Sequence, residues 1–102
     1  MSCIGVDVAG AFVLSHCERT GIDTTYIKQD PGIDTSINVG LVAADGERTF
    51  ITNRQGSLWK FKYDDLDLSA LKDAKILSFA SIFNNPLFDN KAMGSVFKKA
   101  KE

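Results

Sequence analysis

The 102-residue chain predicts an α/β layered fold that carries an inserted β-hairpin. Three observations lead there. Ser36-Ile37-Asn38-Val39-Gly40-Leu41-Val42 alternates polar or small residues with apolar ones, and Arg48–Thr52 returns after an Asp45-Gly46 turn. Helical stretches capped by Asp7 and Asp89 lie on either side of this hairpin. A short apolar run, Ala74–Ala80, has the composition of a buried parallel strand. A flat hairpin between α/β units is unusual for a self-contained small domain. It looks like a lid grafted on a doubly wound sheet.

The elements follow in order. Asp7 caps a helix from about Val8 to Thr20, with Val8, Ala11, Phe12 and Leu14 mostly on one side and Gly21 as the residue past its end. Gly10 inside that helix costs roughly 1 kcal/mol relative to Ala, so a close packing contact or backbone approach is expected there. A short strand is expected around Tyr26 to Lys28, then a turn at Asp30-Pro31-Gly32. The hairpin strands come next, half-buried by their period of two. Gln55 to Phe61 fits no clean period, whereas Asp67, Leu68, Ser69 and Leu71 suggest a short helical turn. Asn84-Asn85-Pro86 ends the Ala74–Ala80 strand. From Asp89 a helix runs to the last residue, with Met93, Val96, Phe97 and Ala100 as its packing stripe and Lys91, Lys98, Lys99 and Lys101 outside. The lysines near its end suit the helix dipole and require no ligand.

Composition excludes several function classes. Twelve Lys and Arg against thirteen Asp and Glu leave a net charge of −1, without the basic excess of a nucleic-acid footprint. No apolar run approaches the ~20 residues of a membrane helix, and the first residues lack the basic and apolar regions of a signal peptide. A cytoplasmic location is therefore expected, with neither nucleic acid nor membrane as partner. Cys3, Cys17 and His16 are the whole cysteine and histidine complement, too few for the usual zinc set. Two free thiols are expected, with a Cys3–Cys17 disulfide as the alternative in an oxidising compartment. His16 and Cys17, adjacent on a helix, point about 100° apart and do not make a nucleophile–base pair.

Four stretches carry a resemblance. Gly5-Val6-Asp7-Val8-Ala9-Gly10, followed by Cys17-Glu18-Arg19-Thr20-Gly21-Ile22-Asp23-Thr24, resembles the G-x-D-x-x-G and G-[IV]-D-T stretches of ribokinase-like (PfkB-type) carbohydrate kinases. Thr35 to Val42 and Asp45-Gly46-Glu47-Arg48-Thr49-Phe50 are similar to the two lid strands of that family. Leu71-Lys72-Asp73-Ala74-Lys75-Ile76-Leu77 is similar to its entry into a core strand. The resemblance implies a partial ribokinase-like (Rossmann-like) layered fold, with residues 1–102 a single incomplete domain and 35–54 its lid hairpin. Family members are roughly three times this long. Their acidic and Gly-Gly sugar motifs lie upstream, and their nucleotide-binding half and G-A-G-D signature lie downstream. In that signature the Asp is the general base, and backbone N–H groups hold the transferred phosphate. Neither G-A-G-D nor a P-loop occurs in this sequence. No catalytic residue and no metal ligand is therefore assigned. No cofactor is expected for this chain, while the resemblance implies ATP and Mg²⁺ for an intact member.

The resemblance to keto-acid and fructose-type members implies sugar contacts at Asn38, Thr52 and Arg54. Asn38 and Thr52 offer groups for hydroxyls, and Arg54 offers a fork of donors for a carboxylate or several hydroxyls. Asn84, just past the apparent core strand, stands where a parallel sheet presents ligand-binding loops. Each has a plainer reading beside it: Asn38 and Thr52 as solvent-facing strand residues, Arg54 as a surface charge, Asn84 as a turn former. Trp59 and Phe61 read as packing residues. The leading expectation is part of an ATP-dependent sugar kinase, taking a sugar or sugar acid when intact and inactive alone. Lid strands in the family often pair between subunits, so a homodimer through the hairpin is also expected. The alternative is a small non-enzymatic interaction domain that oligomerises through the hairpin, with an apolar patch around Leu41, Phe50 and Trp59. An independent hydrolase lacks any acid–base or nucleophile constellation in this sequence.

Overall fold

The computed structural model describes residues 1–81 and 84–102. The chain runs β1 (Ser2–Gly5), α1 (Val8–Arg19), β2 (Ile27–Asp30), β3 (Asn38–Val42), β4 (Arg48–Thr52), α2 (Ser57–Lys60) and α3 (Asn90–Lys101). Between α2 and α3 lie 3-10 turns at Tyr63–Asp65 and Leu68–Leu71. β1 and β2 pair in parallel, Cys3 opposite Lys28 and Ile4 opposite Gln29, with α1 as the connection between them. β1 escapes a pattern reading because Ser2-Cys3-Ile4-Gly5 offers only two apolar residues to it. β2 begins at Ile27 and runs to Asp30, two residues past the expected end.

Asp7 caps α1 by accepting the Gly10 N–H at 2.7 Å. At the other end Gly21 has φ +75°, a conformation that glycine adopts without a Cβ penalty. It lets the N–H groups of Gly21 and Ile22 reach back to the carbonyls of Glu18 and Cys17, closing the helix. The face turned inward differs from the expected one. Gly10 is buried and Val13, Leu14 and Cys17 are half-buried, a stripe at i, i+3, i+4 and i+7. Val8, 88% exposed, and Phe12, which stacks against His16, face outward. Because the stripe starts on a glycine, it is hidden from a count of apolar residues.

β3 and β4 form the expected antiparallel hairpin, with Asn38 opposite Thr52, Gly40 opposite Phe50 and Val42 opposite Arg48. Asp45 accepts the Glu47 N–H in the connecting turn. The strands are not half-buried: of their ten residues only Thr52 is partly covered. The hairpin projects from the body, and the chain has a radius of gyration of 15.2 Å. A compact chain of this length would have about 13 Å.

The core lies under β1. Cys3, Ile4, Phe88 and Val96 are buried; Phe88 stacks on Phe61 at a centroid distance of 5.8 Å and packs tilted against Phe79 at 4.9 Å. Val96 is the one residue of the α3 stripe to be buried, while Phe97 stays partly exposed. Asp67 and Asp89 cap the second 3-10 turn and α3 as their positions imply. Ala74–Ala80, by contrast, forms no strand. Leu77 and Phe79 turn inward and Ile76 is 86% exposed, so the segment alternates like a strand but pairs with no other among the described residues. A strand is defined by its neighbour, and among the described residues β1 is laddered to β2 alone.

Candidate functional site

A knot of polar bonds fixes the hairpin to the body. Asp7 uses one carboxylate oxygen to cap α1 and the other to accept the Thr35 N–H at 2.7 Å. The Thr35 hydroxyl oxygen accepts the buried Gly5 N–H at 2.9 Å. The G-x-D-x-x-G spacing thus has a local cause. Asp7 joins the helix start to the strand entry, and a Cβ on Gly10 would collide with the Gly5 carbonyl oxygen. The backbone N–H groups of Thr35 and Gly10, with help from the Thr35 side chain, hold the Asp7 carboxyl below its ordinary range.

The base of the hairpin is tied in the same way. Asn53 accepts the Ile37 N–H at 2.9 Å and donates to the Thr35 carbonyl at 3.3 Å. Ser36 accepts the Leu58 N–H, Ser57 accepts the Ser36 N–H, and the Ser57 N–H reaches the Asp34 carbonyl. Gly56 passes so close that a Cβ there would stand 2.6 Å from the Ser36 hydroxyl oxygen. The sequence reading did not single out Ser36, Asn53 or Ser57. Their signal, an Asn-x-x-Gly-Ser run just past a strand, gains meaning only once the hairpin register is known.

Two of the four expected contact residues come together. Asn38 and Thr52 are directly opposite, so they share one face of the hairpin with Gly40, Val42, Arg48 and Phe50. Phe50 lies over Gly40, its nearest ring carbon 3.3 Å from where a Cβ would be. Arg54 lies at the foot of this hairpin, its guanidinium carbon 5.4 Å from the centroid of the Trp59 ring. Asn84 is exposed in a turn whose N–H bonds to the Ser81 carbonyl, and among the described residues no hydrogen bond joins its side chain to the hairpin.

A separate cavity of about 530 Å³ opens between β1, α2, α3 and residues 77–81. Its walls are mainly apolar, from Cys3, Ile4, Phe61, Phe79 and Val96, with Thr35, Ser57 and Asn85 as buried polar groups. None of the four expected contact residues lines it. Burial, with a contribution from Asp65, pushes the Cys3 thiol up, away from nucleophilic use. Both cysteines are free. Outside the cavity Lys28 pairs with Asp65, whose side chain is only 7% exposed, and with Asp30 at 3.5 Å. Burial works to raise the Asp65 carboxyl, but the Lys28 ammonium and the Lys62 N–H outweigh it and hold it low. Among the described residues no three His, Cys, Asp or Glu side chains gather as a metal site would require. Among the described residues no helix is long and apolar enough to cross a membrane.

Known proteins share this chain path. The ribokinase of Giardia lamblia superposes with a TM-score of 0.79 over 98% of this chain and 32% of its own, at 24% identity. A fructokinase from Xylella fastidiosa gives 0.79 over 99% and 31%, at 19% identity. Its form with bound ATP gives 0.60 over 72% and 23%, at 23% identity. The aminoimidazole riboside kinase of Salmonella typhimurium is 32% identical over 50 residues, which are 49% of this chain and 16% of that protein. The chain therefore spans about a third of the length of these solved relatives and aligns to a sixth of the curated one. The fold is ribokinase-like α/β, and the sequence pattern described as pfkB family carbohydrate kinase matches residues 1–102 throughout. The chain belongs to the pfkB family of carbohydrate kinases.

Proposed function

We propose that these residues form the substrate side of an ATP-dependent sugar kinase, with 35–54 as the lid that closes over a carbohydrate. The observation that carries this reading is the register of the hairpin, which sets Asn38 against Thr52 on one face. Directly opposed residues hold their Cβ atoms about 5 Å apart, so an amide and a hydroxyl carried there can bracket neighbouring sugar hydroxyls. Arg54 at the foot of the hairpin adds donors, and Asn84 is the weakest member of the set because nothing in its bonding joins it to the others. A closed lid excludes water and protects the transferred phosphoryl group from hydrolysis.

Phosphoryl transfer itself belongs to residues beyond this set. ATP, carrying Mg²⁺, supplies the phosphoryl group in an intact enzyme, and among the described residues no three His, Cys, Asp or Glu side chains gather to hold the ion. The role of this chain is to bind, orient and cover the sugar, in the cytoplasm, and alone it does not catalyse. Nitrogen-15-labelled chain titrated with fructose and ribose tests the reading. Amide shifts confined to Asn38, Thr52 and their neighbours, and lost in Asn38→Ala, support it; a hairpin silent to millimolar sugars refutes it.

A second reading rests on a different observation. Both hairpin faces are open, with Val39, Leu41, Phe50 and Ile51 all exposed. Such a surface favours a homodimer through the hairpin, within a kinase or as a stand-alone interaction module. The apolar residues occupy both faces, so the expected single patch around Leu41, Phe50 and Trp59 is split between them.

A further inference from the structure

We infer that the cavity between β1 and residues 77–81 is a slot for one β-strand, an extended apolar segment supplied by the part of a pfkB kinase that these residues do not span. The inference makes no use of the sugar face. Successive residues of a strand turn their N–H and C=O groups to opposite edges. The Ser2 N–H bonds to the Tyr26 carbonyl at 3.2 Å, so Ser2 and Ile4 face β2, while Cys3 and Gly5 face the other edge. The Gly5 N–H agrees, since it donates to the hydroxyl oxygen of Thr35, a residue of the cavity wall. Thr35 thus closes this edge at Gly5 and leaves it open at Cys3. Cys3 is 6% exposed, yet outside the β1–β2 ladder no hydrogen bond among the described residues uses its backbone. Buried main-chain groups are nearly always paired.

The walls of the cavity point to the partner. Met1 to Ile4 form one of them and residues 77–81 another. Residues 77–80 alternate half-buried and exposed, as strand residues do, but have no ladder among the described residues. A strand laid between the two gives both a ladder. Its side chains are apolar, because Ile4, Phe61, Phe79 and Val96 line the space and no charged residue does so among those described. A small apolar molecule suits such walls but offers the Cys3 backbone neither donor nor acceptor. The source follows from length. The chain spans about a third of the solved relatives it superposes on, so the remaining neighbours of its sheet belong to the rest of such a chain.

Hydrogen exchange on the 102-residue chain tests this, with a lysine-flanked peptide of alternating valine and isoleucine as the strand. At about ten times its Kd the peptide should slow exchange at the Cys3 amide about tenfold, and slow residues 77–80 with it. N-methylation of every second peptide residue strips the donors from one edge and should abolish the effect. Cys3→Pro removes the receiving N–H but spares the bonds of Ser2 and Ile4. It should weaken the peptide at least about tenfold while the Ile4 amide stays protected. Should that variant unfold, the methylated peptide decides alone. A peptide that leaves the Cys3 amide unchanged overturns the inference, as does equal binding after methylation, which assigns the cavity to apolar packing. A Cys3 amide protected in the free chain at every dilution has its edge already filled. Protection that rises with chain concentration gives the slot to a second copy. Both results overturn the inference, and none of these outcomes bears on the sugar face.

Discussion

Replacing Thr35 by valine exchanges one hydroxyl for a methyl group of nearly the same shape. Thr35 is 5% exposed, and its hydroxyl oxygen is the acceptor for the Gly5 N–H at 2.9 Å. Gly5 ends β1, is itself buried, and sits against the Ile33 carbonyl and the Asp7 carboxylate too tightly for any Cβ. The variant therefore leaves a buried donor with no acceptor, a cost of about 1–3 kcal/mol. In a domain of this size each kcal/mol moves the melting temperature by roughly 4–8 °C, so a drop of at least about 4 °C is expected. Thr35→Ser supplies the control. It keeps the acceptor and loses a methyl, for about 0.8 kcal/mol of transfer free energy. Urea denaturation should order the three as wild type, then serine, then valine, and hydrogen exchange should show the Gly5 amide losing protection only in the valine variant. Valine equal to or better than serine, with Gly5 still protected, would refute the knot as the attachment of the hairpin.

Glycine exchange should divide by position: Gly10→Ala meets the Gly5 carbonyl and should cost about 1–3 kcal/mol, whereas Gly94→Ala enters open space in α3 and should gain about 0.5–1 kcal/mol, both read by urea midpoints. Stability should fall on acidification. The Asp7 and Asp65 carboxyls lie below their unfolded value near 3.9, so their contribution is complete above that pH and is lost as pH falls through the folded values; Asp65→Asn should flatten the slope of unfolding below about pH 4. Phe50→Ser with Ile51→Thr should leave far-ultraviolet circular dichroism nearly unchanged but lower any dimer fraction in sedimentation, because both side chains are more than half exposed and support no core. A monomer at every micromolar concentration in the unaltered chain removes the homodimer.

What was legible in the sequence was local. Asp7, Asp67 and Asp89 cap because each accepts an N–H two or three residues on, a relation written within one turn of chain. The hairpin register follows from the alternation and the Asp45-Gly46 turn, so the facing of Asn38 and Thr52 was in principle readable. The inward face of α1 was hidden because its leading residue is Gly10, which a search for apolar residues passes over. The Arg54–Trp59 pair was hidden for another reason. The two stand five residues apart across a loop and a single helical turn, where no period links sequence spacing to facing direction.

The unfulfilled strand and the bare hairpin have a common cause. Ala74–Ala80 carries the residues of a buried strand, and β3 and β4 carry the alternation of a half-covered one, yet among the described residues neither meets a covering neighbour. Intrinsic strand preference describes fitness for a pleated, partly buried surface and does not create that surface. The Thr35–Asn53–Ser57 knot behaves differently because each of its bonds closes between side chains and backbone of residues 5 to 58. A lid needs that division of labour. Its anchor must be complete in itself, while its faces remain open to what they will cover. The bonding at the hairpin foot and the exposure of its strands meet both conditions, which is why the hairpin, rather than the apolar cavity beneath β1, is the better candidate for the surface that meets the ligand.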